Sequence, residues 1–179
     1  MQKAGTHAEV GQASFNRADF RNALGAFATG VTVITTQGEQ HPYGMTANAF
    51  SSVSLDPPLV LMCVIKGTRG SDEIQQNGVF AVNILAEDQE PISRFFASRE
   101  RPSGQDAFAE IAHRAVATGS PILDATAGFL DCRLHASHEA GDHLIIIGEV
   151  LALGADPNAR PLVFHGGRYC FAATERPTG

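Results

Sequence analysis

Leu59-Val-Leu-Met-Cys-Val-Ile65 is continuously apolar and follows directly on Pro57 and Pro58. A run of this length behind turn residues reads as a strand buried on both sides, or as part of a barrel wall. Val79 to Leu85 repeats the pattern, interrupted only by Asn83. Gly128 to His138 alternates instead. Leu130, Cys132, Leu134 and Ala136 point one way, and Asp131, Arg133, His135 and Ser137 the other, as on a strand with one buried face. His143 to Leu153 and the β-branched Val31 to Thr36 supply further strands. No long helices alternate with these segments, so a doubly wound parallel sheet is disfavoured. The expected class is mainly β: a closed or partly split antiparallel barrel with peripheral helices.

The helical signals are local. Phe20, Leu24 and Phe27 fall on one face of a helix that Asn16 or Asp19 can cap and Gly30 can stop. Gln37 to Pro42 reads as a turn into a second strand running from Tyr43 to Phe50. Pro91 to Ala97 begins another helix with Pro in its first turn. The charged segment from Arg99 to Gly104 is a loop that either covers a site or connects two elements. Leu162–Phe164 and Tyr169–Phe171 form a hairpin around His165-Gly-Gly-Arg168. One domain is expected over residues 15–173, with a poorly ordered leader at 1–14 and a tail at 174–179.

The chain has 179 residues, 44% hydrophobic and 18% charged, which is globular in character. A net charge of −6 with no basic stripe argues against nucleic-acid binding. No apolar run approaches a membrane span, and the first residues have no apolar signal core, so the expectation is a cytoplasmic protein. Cys63, Cys132 and Cys170 are scattered, without a Cys-x-x-Cys pair, and read as free thiols in a reduced compartment. His135 and His138 lie on opposite faces of one strand, and no His-Glu-x-x-His spacing occurs, so no metal site is expected.

Two polar stretches stand out. Gly44-Met-Thr-Ala-Asn-Ala-Phe-Ser-Ser-Val-Ser-Leu-Asp-Pro-Pro58 carries hydroxyls, an amide and small residues beside a buried strand. It reads either as a surface for a polar, phosphorylated ligand or as a Ser/Thr-rich loop ending in a Pro turn. Lys66-Gly-Thr-Arg-Gly-Ser-Asp-Glu-Ile74 is neither a Walker A loop nor a dinucleotide fingerprint. It precedes a helix at about Ser71–Gln76, whose N-terminus and cations suit a phosphate, while Asp72 and Glu73 suit a plain surface turn. Asn83 needs partners, from a bound ring or from neighbouring backbone.

Thr46-Ala-Asn-Ala-Phe-Ser-Ser-Val-Ser-Leu-Asp-Pro-Pro58 resembles the signature of the short-chain flavin reductases, the reductase components of two-component flavin-dependent monooxygenases. The likeness extends to Phe20–Thr35, Gly78–Leu85, Glu139–His143 and Pro161–Tyr169, and so spans most of the chain. The resemblance implies a split β-barrel flavin-binding fold and a homodimer. It implies hydride transfer from NADH or NADPH to FMN or FAD, with reduced flavin released to an oxygenase. It implies flavin contacts from Thr46, Ala47, Asn48, Ser51, Ser52, Val53 and Ser54, and phosphate contacts from Lys66, Thr68 and Ser71. Phe80, Ala81 and Asn83 would meet the ring. His143 would orient the nicotinamide, with Tyr169 or Arg168 as weaker candidates nearby. The alternatives are a flavoprotein that keeps its flavin and reduces another substrate, and a non-catalytic flavin-binding module.

Overall fold

The computed structural model describes residues 15–172; the expected leader and the expected tail lie outside the described residues. Helix α1 spans Arg17–Gly25, and the Asn16 side chain caps it by accepting from the N–H groups of Ala18 and Asp19. It ends at Gly25, five residues before Gly30, so Phe27 lies beyond it. Strands β1 (Thr29–Gly30), β2 (Thr32–Gln37), β3 (Pro42–Ala47), β4 (Phe50–Leu55) and β5 (Pro58–Ile65) follow. Then come α2 (Arg69–Asn77), β6 (Val79–Ile84), α3 (Glu90–Ala97), β7 (His113–Arg114) and β8 (Ile122–Leu123). The chain closes through β9 (Gly128–Ala140), β10 (His143–Ala155), β11 (Leu162–His165) and β12 (Arg168–Phe171).

All strand pairs are antiparallel, and the main sheet has seven strands in the order β3-β2-β6-β9-β10-β5-β4. Strands β3 and β4 therefore occupy the two edges, yet only Asn48 and Ala49 separate them in sequence. Two residues cannot cross an open sheet of that width, so the sheet must curl until its edges approach. The Ala49 carbonyl accepts from Cys63 N–H on β5 at 2.9 Å, and the Ala47 carbonyl accepts from the Thr32 hydroxyl on β2 at 2.6 Å. The expected single strand from Tyr43 to Phe50 is thus two strands, because this crossing has to break the ladder. The result is a barrel split between β3 and β4, in agreement with the expected class.

One core fills the barrel, built from Ile34, Met62, Phe80, Val82, Cys132 and Ile146 with their neighbours. A second lies outside β2 and β6, where Val31, Val33 and Leu85 meet Phe96 of α3 and Phe108. Strand β6 is accordingly buried on both faces. Strand β5 is not: Val60, Met62 and Val64 are buried, whereas Leu59, Leu61 and Cys63 are only half-covered and Ile65 is exposed. It lies one strand from the split edge.

Strand β9 carries the other departure. Asp131 is fully buried rather than on a solvent face. Its carboxylate accepts from the N–H groups of Ala117 (2.7 Å) and Thr118 (3.0 Å) and from the Thr118 hydroxyl. Those donors replace the lost water and tie the irregular segment before β8 to the sheet. The β11–β12 hairpin matches expectation, with Gly166 and Gly167 both at positive φ, as a two-residue turn of this hand requires.

Candidate functional site

The split edge opens into a cleft of about 400 Å³. Its floor is the crossing from β3 to β4, with Thr46, Ala47, Asn48 and Ala49. One wall is the end of β5, with Cys63 and Ile65, and the other is α3 and the segment after it, with Phe96, Arg99 and Arg101. His143 and Thr68 complete the rim. Thr46 is anchored through its hydroxyl, which donates to the Ser93 carbonyl at 2.6 Å. The Asn48 amide donates to the Thr29 hydroxyl at 3.2 Å.

His143 is placed by the β9–β10 hairpin, whose turn is Gly141 and Asp142, with Gly141 at positive φ. Its Nδ1 lies 2.7 Å from an Asp142 carboxylate oxygen. That bond, and the charge behind it, hold the Asp142 carboxyl below its usual range. Nδ1 is thereby engaged, which leaves Nε2 as the ring nitrogen for a ligand.

A second cavity of about 400 Å³ adjoins the first and shares Tyr43, Thr68, Arg99 and Arg101 with it. Arg69, Pro42, Pro102 and Ser103 line its far side. Among the described residues no carboxylate lines either cavity, although the chain as a whole carries a net charge of −6. The two form one continuous groove, mixed apolar and polar at the His143 end and cationic at the other.

The structure brings together only some of the residues expected at the site. Thr46, Ala47, Asn48, Thr68 and His143 share the first cleft. Ser51, Ser52 and Val53 are exposed, and Ser54 is half-buried, on edge strand β4, which runs on from the crossing. Lys66 instead pairs with Glu139 at 2.6 Å, outside the cleft. Ser71 is fully buried and closes the capping box of α2: its hydroxyl accepts from Thr68 N–H at 3.1 Å and donates to the Thr68 carbonyl at 2.7 Å. It has no hydroxyl to offer a phosphate.

Phe80, Ala81 and Asn83 are corrected outright. All three are fully buried on β6. The Asn83 amide donates to the Val33 carbonyl and the Thr35 hydroxyl, and its oxygen accepts from Leu123 N–H at 2.8 Å. The neighbouring backbone and the Thr35 hydroxyl satisfy it. Tyr169 is likewise engaged, its hydroxyl 2.8 Å from Ser93 Oγ and its ring under the Arg94 guanidinium. Arg99 and Arg101 line both cavities and are the groove side chains that sequence reasoning did not single out. The signal was there, in a charged loop with Pro102 and Gly104 behind a short helix.

A model described as the flavin reductase like domain matches residues 24–173. The chain belongs to this family. The flavin reductase like domain therefore takes in the whole barrel, the split edge and the groove. Reductase subunit HsaB of a flavin-dependent monooxygenase from Mycobacterium tuberculosis is 40% identical over 161 residues, covering 89% of this chain and 84% of that protein. The FMN reductase (NADH) SmoA of Agrobacterium fabrum is 42% identical over 154 residues, covering 86% and 85%. The solved structure of Streptomyces globisporus NADH:FAD oxidoreductase SgcE6, in complex with NAD and FAD fragments, superposes with a TM-score of 0.83. It has 37% identity and covers 89% of this chain and 94% of that one.

Proposed function

We propose that the protein is an NADH-dependent flavin reductase that supplies reduced flavin to a partner monooxygenase. The observation that carries this reading is the groove at the split edge, where small residues, His143 and an acid-free cationic end lie in one cleft. The relatives named as reductase subunits and NADH-dependent reductases support it. The groove fits a flavin nucleotide: the crossing admits a flat ring against backbone, and the cationic end matches a phosphate. The bound nucleotides supply the redox chemistry, one hydride passing from NADH to the flavin, with a proton taken from water.

The chain's own part is placement. Thr46, Ala47 and Asn48 form a flat floor for the flavin ring, and Thr68 stands towards its phosphate. Ser51, Ser52, Val53 and Ser54 extend that floor along an open edge strand. His143 orients the nicotinamide through Nε2, so that donor and acceptor rings stack at reacting distance. The groove is open to solvent along one side, which suits a flavin that enters and leaves.

The proposed assembly is a homodimer. Helix α1 buries none of its residues, and Phe15, Phe20, Leu24 and Phe27 are all exposed. Leu55, Leu151 and Leu153 are exposed at one end of the main sheet. Apolar surface on this scale is what a second copy would cover. Among the described residues no helix is long and apolar enough to cross a membrane. The proposed location is the cytoplasm, where free thiols and NADH coexist.

Flavin content after gel filtration tests the release step. The account expects protein that emerges nearly free of flavin and turns over flavin added afterwards. Stoichiometric flavin that stays bound and is reduced in place would favour the retained-flavin alternative.

A further inference from the structure

A small sheet beside the barrel reaches the floor of the cleft by two routes. Its three strands run in the order β1-β11-β12. Thr29 on β1 pairs with Phe164 on β11, which pairs in turn with Tyr169 on β12. At one end of this row the Thr29 hydroxyl accepts from the Asn48 amide at 3.2 Å. At the other end the Tyr169 hydroxyl lies 2.8 Å from Ser93 Oγ on α3, and the Ser93 carbonyl accepts from the Thr46 hydroxyl at 2.6 Å. Thr46 and Asn48 are the two polar side chains of the crossing from β3 to β4; Ala47 and Ala49 carry only methyl groups. Both polar side chains are thus tied to one cross-strand row of Thr29, Phe164 and Tyr169.

The row is a firm anchor. Val31 N–H donates to the Leu162 carbonyl at 3.1 Å and Leu162 N–H to the Leu85 carbonyl at 2.8 Å, which fixes the small sheet to the barrel. Leu162 and Ser93 are fully buried. The Tyr169 ring stands edge-on to Phe164, with centroids 5.3 Å apart, and under the Arg94 guanidinium at 4.8 Å. The crossing, by contrast, leaves the ladder between β3 and β4, so side-chain tethers matter more there. Helix α3 also carries Phe96 and Ala97 in the cleft wall, so the bond from Tyr169 to Ser93 sets wall and floor relative to each other. Neither Thr29 nor Tyr169 lines the groove. Hydride transfer is sensitive to ring placement on the scale of about 1 Å. We infer that Tyr169 and Thr29 are positioning residues for hydride transfer, acting on the cleft floor through Ser93, Thr46 and Asn48. The inference rests on the reductase reading and deepens it.

The test compares the purified full chain with Tyr169→Phe, Thr29→Val and Thr29→Ser. The first two each remove one hydroxyl at nearly constant shape, and the third keeps it. Stopped-flow reduction of FMN at saturating NADH reads the transfer step. Hydrogen exchange reads the crossing without turnover, at the amides of Phe50 and Cys63, which donate to the Asn48 and Ala49 carbonyls. Tyr169→Phe and Thr29→Val are each expected to slow flavin reduction about tenfold, with the NADH KM within about threefold of wild type. Both are expected to speed exchange at the two amides about tenfold. Thr29→Ser is expected to match the wild type in rate and in exchange. Faster exchange with an unchanged reduction rate would overturn the inference, since the hydroxyls would then only stabilise the fold. Unchanged exchange would overturn it too, as would a Thr29→Ser variant as slow as Thr29→Val. If the wild type reduces no flavin with NADH, yet both amides exchange faster in Tyr169→Phe and Thr29→Val, the reductase reading fails and the tether of the cleft floor stands.

Discussion

At the residue scale the account turns on His143. The bond from its Nδ1 to Asp142 fixes the ring at the rim of the cleft, close to Thr46 and Asn48 rather than in the core. Its proposed role is to orient one substrate, not to hold the flavin. His143→Ala is therefore expected to slow NADH oxidation by tenfold or more while weakening flavin affinity only slightly, as a lost orienting contact does. Stopped-flow reduction rates and flavin fluorescence titration separate the two effects. Cys132 makes a different prediction. Burial first, and the Asp131 charge second, raise its thiol pKa from 9.0 to about 12. Between those values the unfolded chain ionises this thiol and the folded chain does not, so the unfolded state holds fewer protons. Stability must then fall as pH rises above 9.0. Urea titrations at rising pH should show a shallower loss in Cys132→Ala than in the wild type.

At the scale of elements, β6 shows how a strand can look functional and be structural. Asn83 joins β2, β6 and the start of β8 through four contacts, to Val33, Thr35, Pro121 and Leu123. Asn83→Ala leaves those buried groups without a partner and should cost about 2–3 kcal/mol of stability, measured by chemical denaturation, with little change in flavin affinity. The strands themselves were readable, because β-branched and apolar runs depend on local sequence alone. The small-residue stretch was readable for the same reason, but not the break at Asn48 and Ala49 that divides the expected strand in two. What could not be read was set by partners distant in sequence. Asp131 looks exposed in an alternating strand until the backbone of residues 117–118 folds over it. Ser71 is a local exception, a supposed phosphate ligand that the capping box claims through Thr68, three residues away. Arg99 and Arg101 become site residues only because α3 packs on β3 and carries their loop to the groove.

For the whole molecule, the edge strands explain both the site and the expected assembly. A sheet that curls without closing leaves β3 and β4 with unpaired edges, and β4 with exposed Val53 and Leu55. A flavin on that edge and a second copy on the exposed apolar surface would together cover what one chain leaves open. Leu24→Glu, on the uncovered α1, is expected to shift the protein from dimer towards monomer in analytical ultracentrifugation, without unfolding it, since α1 buries nothing within its own chain. The central claim is that this chain passes electrons from NADH to a flavin it does not keep. Its most direct test is NADH consumption by the purified protein in air, with and without added FMN, FAD or riboflavin. The account predicts consumption that depends on added flavin and saturates with it. Flavin binding with no NADH or NADPH consumption would contradict it and leave a binding module.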